Sequence, residues 1–202
     1  IHMLFSRTLL ISFIACFTIV AGAQTRYAEA TFLHTQTTLP WKRLPGHSLH
    51  PGFRLGYVWG RKTNTHWLKD AEIGFQHHPE LYNSLLLGSG IRYSIFKPAR
   101  KVLLQTGIVL GLALDKPTQS FYAPDGDGGW SSARAGWQAK GYCAFLVKAG
   151  YSINKLLAAG MAVRIWAEAP YVQEFSTVLP HRNYEIFFRY RFSKNDINKE
   201  KK

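Results

Sequence analysis

Alternation with a period of two dominates the chain, and it is cleanest near the C-terminal end, at Asn183-Tyr184-Glu185-Ile186-Phe187-Phe188-Arg189-Tyr190-Arg191-Phe192. Successive side chains of a strand point to opposite faces. Tyr184, Ile186, Phe188, Tyr190 and Phe192 therefore share one face, and Glu185, Phe187, Arg189 and Arg191 share the other. The same contrast recurs upstream. Phe53, Leu55, Tyr57 and Trp59 oppose Arg54, Gly56, Val58 and Gly60 within 52–60, and Ala71, Ile73 and Phe75 oppose Asp70, Glu72, Gly74 and Gln76 within 67–77. Within 83–96, Leu85, Leu87, Ile91, Tyr93 and Ile95 oppose Gly88, Gly90, Arg92 and Ser94; within 101–113, Val102, Leu104, Ile108, Leu110 and Leu112 oppose Gln105, Gly107 and Gly111. Two further segments, 137–152 and 156–169, set Cys143, Phe145, Val147, Ala149 and Tyr151 against Tyr142, Ala144, Lys148 and Gly150, and Leu157, Met161, Val163 and Ile165 against Gly160, Arg164 and Glu168. A first strand over 26–36 alternates weakly, Ala28, Ala30 and Phe32 against Glu29, Thr31 and Leu33, so its register stays open.

Eight strands of about ten residues are long enough to cross a hydrocarbon layer at a tilt. The apolar face of 183–192 begins and ends in aromatic residues, the pattern of a strand whose rings sit at two membrane interfaces; Tyr57, Trp59, Tyr93, Trp137, Tyr151, Tyr184 and Tyr190 are the expected anchors along the chain. The connections are mostly long at 37–51, 115–135 and 170–182 and short at 61–65, 97–100 and 153–155, with a brief turn at 78–80 breaking the alternation. Such asymmetry separates the outer loops from the inner turns of outer-membrane barrels. The prediction is an all-β fold, an eight-stranded antiparallel up-and-down transmembrane β-barrel over 24–192. A soluble lipocalin-type barrel would be apolar inside and polar outside. Here the sense is inverted.

The ends of the chain read differently. Residues 1–23 have the anatomy of a cleaved signal peptide: Met3 as the start, Arg7 in a short basic region, an apolar run from Thr8 to Val20, and Ala21-Gly22-Ala23 before cleavage. Cys16 lies inside that run and the small-x-small site follows it, which argues against lipidation there. Outside residues 1–23, Cys143 is the sole cysteine, so neither an internal disulfide nor a cysteine metal site can form. Residues 193–202 form a charged tail without pattern, expected to be disordered. The formal net charge of +13, or +12 without Arg7, fits an anionic membrane surface better than nucleic acid, which an exported protein seldom meets.

Candidate chemistry follows from the inward faces. Asp70, Glu72, Glu168 and Glu185 share them with Arg54, Arg92, Lys148, Arg164, Arg189 and Arg191. Charges withdrawn from water must pair, and a narrow barrel filled by such pairs is a plug rather than an ion path. Arg54, Glu72, Arg92, Arg164, Glu168, Glu185 and Arg189 are the expected luminal network. The inward glycines, Gly56, Gly74, Gly88, Gly90, Gly107, Gly111, Gly150 and Gly160, would make room for the large side chains. Hydrolysis of lipid is the competing chemistry, drawing on His34, His77, His78 and His181 near strand ends and Ser84, Ser89 and Ser94 on one strand. No histidine has a serine two positions along its strand, the local pattern of the lipid A deacylase family of barrels. Asp125-Gly126-Asp127-Gly128-Gly129 opens like a calcium loop, but Gly136 stands where the twelfth-position glutamate belongs. No metal, cofactor or catalytic residue is expected.

The export signal, eight alternating segments and terminal aromatic Phe192 together resemble the small outer-membrane barrels of Gram-negative bacteria, of OmpX and OmpA size. The stretch His50-Pro51-Gly52-Phe53-Arg54-Leu55-Gly56-Tyr57 resembles the opening of uncharacterised barrel proteins of the Bacteroidetes group. The resemblance implies residence in the outer membrane, contact with its lipid and lipopolysaccharide, and insertion by the barrel-insertion machinery. Such barrels end at the last aromatic, whereas this chain runs on to Lys202. A structural, adhesive or surface-binding role through the long loops is the expected function, with a surface ligand unknown; a lipid-modifying enzyme or a narrow channel is the alternative.

Overall fold

In the computed structural model of the protein, the described residues are 25–37, 50–60, 66–79, 82–96, 101–118, 121–124, 130–133, 136–169 and 178–192. They form ten strands: Thr25–Thr37 (β1), Pro51–Gly60 (β2), Trp67–His78 (β3), Tyr82–Ser94 (β4), Val102–Pro117 (β5), Phe121–Pro124 (β6), Trp130–Ala133 (β7), Gln138–Ser152 (β8), Leu157–Ala169 (β9) and Leu179–Arg191 (β10). Eight of them close a barrel in the order β1-β2-β3-β4-β5-β8-β9-β10, with β10 paired back onto β1. Every pairing in it is antiparallel. A closed sheet has no free edge, so every backbone ladder finds a partner.

Four features extend or correct the sequence reading. The stretch 115–135, expected to be irregular, contains the separate hairpin β6-β7. β5 runs on to Pro117, so Asp115 is a strand residue rather than the first of a loop. β10 starts at Leu179, which turns Pro180, His181 and Arg182 from loop into strand. The first strand, left without a register, pairs Glu29 with Arg189 on β10 and with Gly56 on β2. That fixes Tyr27, Glu29, Thr31 and Leu33 as inward and buried.

Both ends of the described chain, Thr25 and Phe192, lie at the end of the barrel where β2 leads to β3, β4 to β5 and β8 to β9, the short-turn end; the end where β1 leads to β2, β5 to β8 and β9 to β10 is the long-loop end. The 153–156 turn is tight because the Asn154 side-chain oxygen accepts from the backbone N–H groups of both Leu156 and Leu157 at 2.8 Å. The last described residue is tied down there as Phe192 N–H donates to the Arg26 carbonyl at 3.0 Å.

The two faces of the sheet separate as the alternation demands. Outside, Ile108, Leu110, Phe145, Met161, Ile165, Ile186 and Phe188 are each about half exposed or more. Inside, the lumen is filled. Tyr142 packs edge-on against Trp166 at 5.7 Å with Leu86, Val109, Ala144 and Leu146 around them, and Phe187 is fully buried. The glycines opposite these rings are a requirement of space. A Cβ on Gly111 would stand 2.5 Å from the Tyr142 ring, and one on Gly150 would stand 2.9 Å from Phe187.

Trp59 departs from its expected place as an exposed interface anchor, for its residue is 4% exposed. It shares the outer face with Tyr57, 5.8 Å away ring to ring. Its direct cross-strand neighbours are Arg26 and Lys69, whose long side chains lie on the same face. Of the other expected anchors, Trp137, Tyr151, Tyr184, Tyr190 and Tyr93 are exposed, and Tyr57 is half-buried.

Candidate functional site

The chemistry of this molecule is concentrated in the lumen. Twelve charged side chains are buried there: Arg54, Arg92, Lys140, Lys148, Arg164 and Arg189 against Glu29, Asp70, Glu72, Asp115, Glu168 and Glu185. Six cations face six carboxylates, so the described lumen is neutral as a whole. They fall into three groups along the barrel axis.

The middle group joins four strands. Arg164 on β9 donates to both oxygens of Glu72 on β3, at 2.5 Å and 2.8 Å, and its Nε lies 3.1 Å from Glu185 on β10. Arg54 on β2 donates to Glu185 at 2.9 Å and sits 3.5 Å from Glu72. Each carboxylate is thus shared by two guanidiniums, and the planar fork of arginine suits that sharing. The Tyr142 hydroxyl also donates to Glu72 at 3.4 Å. A four-residue lattice spans the bore.

The second group lies toward the short-turn end and is centred on Glu29. Arg92 donates to both its oxygens, at 3.0 Å and 3.2 Å, and Arg189 reaches it at 2.8 Å and 3.1 Å. Lys148 forms a third ion pair with the same carboxylate. Asp70 accepts from Arg92 at 2.6 Å and 2.8 Å, and Arg189 also donates to Gln105 at 2.7 Å. Arg189 and Lys148 stack their charge over aromatic faces, at 5.1 Å from Tyr27 and 4.5 Å from Phe187. Three cations meet two carboxylates here.

The third group lies toward the long-loop end. Lys140 on β8 bridges Asp115 on β5 and Glu168 on β9, at 2.7 Å and 3.1 Å. His181 stands 3.6 Å from Glu168, stacks on Trp166 at 4.0 Å and lies 3.3 Å from the Tyr82 hydroxyl. Beyond it His50 and His78 stack at 3.7 Å, and His34 accepts from the His50 backbone N–H at 3.3 Å. One cation meets two carboxylates here, with the imidazoles alongside.

All seven residues singled out from the sequence, Arg54, Glu72, Arg92, Arg164, Glu168, Glu185 and Arg189, are buried in the bore and joined in these groups. Lys148 and Asp70 join them, while Arg191 is half-buried at the mouth. Sequence reasoning missed Glu29 as a hub because its strand gave no register. It missed Asp115 by ending its strand early, and it passed over Lys140, although even-numbered parity with Tyr142, Ala144 and Lys148 marked that position as inward.

The residues proposed for lipid hydrolysis are not assembled as a triad. Ser89 and Ser94 donate to backbone carbonyls, of Asp70 at 3.1 Å and of Phe96 at 2.7 Å. Nδ1 of His77 lies 2.6 Å from the Asn83 side-chain oxygen. Ser84 is buried opposite Asp115 in the β4-β5 register. Among the described residues no group of three or more His, Cys, Asp or Glu side chains is placed to hold a metal ion. The Asp125–Gly129 stretch lies outside the described residues.

A closed eight-stranded antiparallel barrel, greasy outside and ion-paired within, is the architecture of the outer-membrane barrels. Comparison with solved structures returns that class. Neisserial surface protein A matches over 83% of this chain and 97% of its own, at 14% identity and a TM-score of 0.59. The N-terminal β-barrel domain of OprF from Pseudomonas aeruginosa matches over 84% and 100%, at 10% identity and a TM-score of 0.49. Ail, the attachment invasion locus protein of Yersinia pestis, matches over 83% and 98%, at 11% identity and a TM-score of 0.46. The likeness to Neisserial surface protein A, at 14% identity, shows the fold alone. No family model and no curated protein matches the sequence.

Proposed function

We propose that the protein is an integral outer-membrane β-barrel of a Gram-negative bacterium, delivered by a cleaved signal peptide, with a lumen held shut by ion pairs and a structural, adhesive or surface-binding role carried by its long loops. In this reading lipid contacts the outer face, the short-turn end faces the periplasm, and outer-membrane lipid, lipopolysaccharide and the insertion machinery are the partners. Support for the membrane comes from the outer face. Its exposed aliphatic and aromatic side chains run round the whole barrel, far beyond the few hundred Å² of apolar patch a soluble monomer tolerates. The two aliphatic hydroxyls on that face of the barrel strands find partners within the sheet, as lipid contact demands: Ser89 donates to the Asp70 carbonyl at 3.1 Å and Thr106 to the Leu146 carbonyl at 3.2 Å.

The observation that carries the closed-lumen reading is the lattice of Arg54, Glu72, Arg164 and Glu185, whose members come from β2, β3, β9 and β10 and meet across the bore. An ion on the axis would have to separate pairs whose partners are buried, and each such separation costs several kcal/mol. The purified barrel in planar lipid bilayers should therefore show no steady conductance. A reproducible unitary conductance in the same preparation would place a channel ahead of a plug.

A further inference from the structure

The luminal charge is neutral in sum but uneven along the axis. At the short-turn end Arg92, Lys148 and Arg189 share Glu29 and Asp70, which leaves one buried cation in excess. Beyond that level, toward the barrel mouth, Lys155 and Arg191 add positive charge on the luminal side, Arg26 and Lys69 stand on the outer face, and the described residues carry no carboxylate. A cavity of about 50 Å³ opens there, bounded by Tyr27, Ser152, Asn154, Lys155, Arg189 and Arg191 among others. That is several times the roughly 10–15 Å³ a single water needs on the same measure, so several waters or one tetrahedral anion fit. Arg191 follows Arg189 by two residues and so points to the same side of β10, into this space.

We propose that this cavity binds one oxyanion of the phosphate class, with Arg191 and Lys155 at its rim and Arg189 at its back. The anion balances the excess cation behind it and gives Arg191 the bidentate partner its guanidinium geometry suits. Inorganic phosphate and the headgroup phosphate of a neighbouring phospholipid present the same chemistry. The site follows from the luminal charge and the cavity alone, so its failure would leave the closed, membrane-embedded reading standing.

The test is titration of the folded, detergent-solubilised barrel with inorganic phosphate, followed by calorimetry and by phosphorus-31 line width. Saturable binding at one site is expected, weakened about tenfold in Arg191→Gln and further in the double variant with Lys155→Gln, since each removes one charge-assisted contact. Arg182→Gln, at the opposite end of β10, should bind like the parent protein. Both rim positions lie at the end of a strand or in a turn, and retention of the folded barrel's gel mobility shows that they still fold. Absence of saturable binding, or equal affinity in the parent and the double variant, overturns the proposal. Repeating the titration in vesicles of phosphatidylethanolamine and phosphatidylglycerol identifies the source. Unchanged affinity marks free phosphate as the occupant, and weakened affinity marks competition from a lipid headgroup.

Discussion

Glu29 holds three cations at once, and no other carboxylate among the described residues does so. Replacing it with glutamine would leave Arg92, Lys148 and Arg189 facing one another with Asp70 as their one remaining counter-charge, and breaking a buried pair in this way costs about 3–5 kcal/mol. Glu29→Gln should therefore lower the unfolding free energy from urea titration, read by tryptophan fluorescence, by that order. Adding Lys148→Met to Glu29→Gln should recover part of the loss, because it removes one of the stranded charges; strictly additive losses would show that the two residues do not interact. Arg182 is the contrast, exposed on the outer side of the same strand as Arg189. Its replacement by glutamine should change stability by less than about 0.5 kcal/mol. A loss at Arg182 equal to that at Glu29 would contradict the partition of charge between lumen and surface.

At the level of the strand, legibility depended on contrast between the two faces. β10 was legible because Ile186 and Phe188 alternate with Glu185 and Arg189, and β8 and β9 were legible for the same reason. β1 was not, since Ala28 and Ala30 on one face and Thr31 and Leu33 on the other differ too little to choose a register. Closure chooses it instead, through the ladders to β2 and β10. The start of β10 was hidden by Pro180, a residue that sheets confine to edges and strand beginnings, and here it is the second residue of the strand. The inward glycines were legible as a class, but their separate reasons were not, because spacing does not say which side chain each one faces. Gly111→Ala would push a methyl group against the Tyr142 ring and the neighbouring strand, and overpacking of this kind costs about 1–3 kcal/mol. Gly56→Ala meets nothing nearer than 3.8 Å and should be neutral or slightly stabilising. Equal losses at the two sites in the same unfolding assay would refute the packing explanation.

Taken whole, the molecule is a sheet whose faces have exchanged their usual solvents. Aromatic residues mark its levels: Trp67 and Tyr93 meet edge-on at 5.0 Å near the short-turn end with Tyr151, Tyr190 and Phe192, and Trp137 stands just before β8 toward the other end. The charges, which in a soluble barrel would cover the surface, lie inside and brace opposite walls against each other. The fold and the inversion could be read from period-two alternation because that pattern is local. The three-group division of the lumen could not, since it depends on which of eight strands stand opposite one another across the bore. Cys143 offers a direct probe of the inversion, for it is exposed on the outer face of β8 and is the sole cysteine beyond residues 1–23. A nitroxide attached there, in barrels reconstituted into phospholipid vesicles, should collide readily with oxygen and rarely with a water-soluble nickel chelate. Frequent collision with the chelate and little with oxygen would put water on that face and contradict the account.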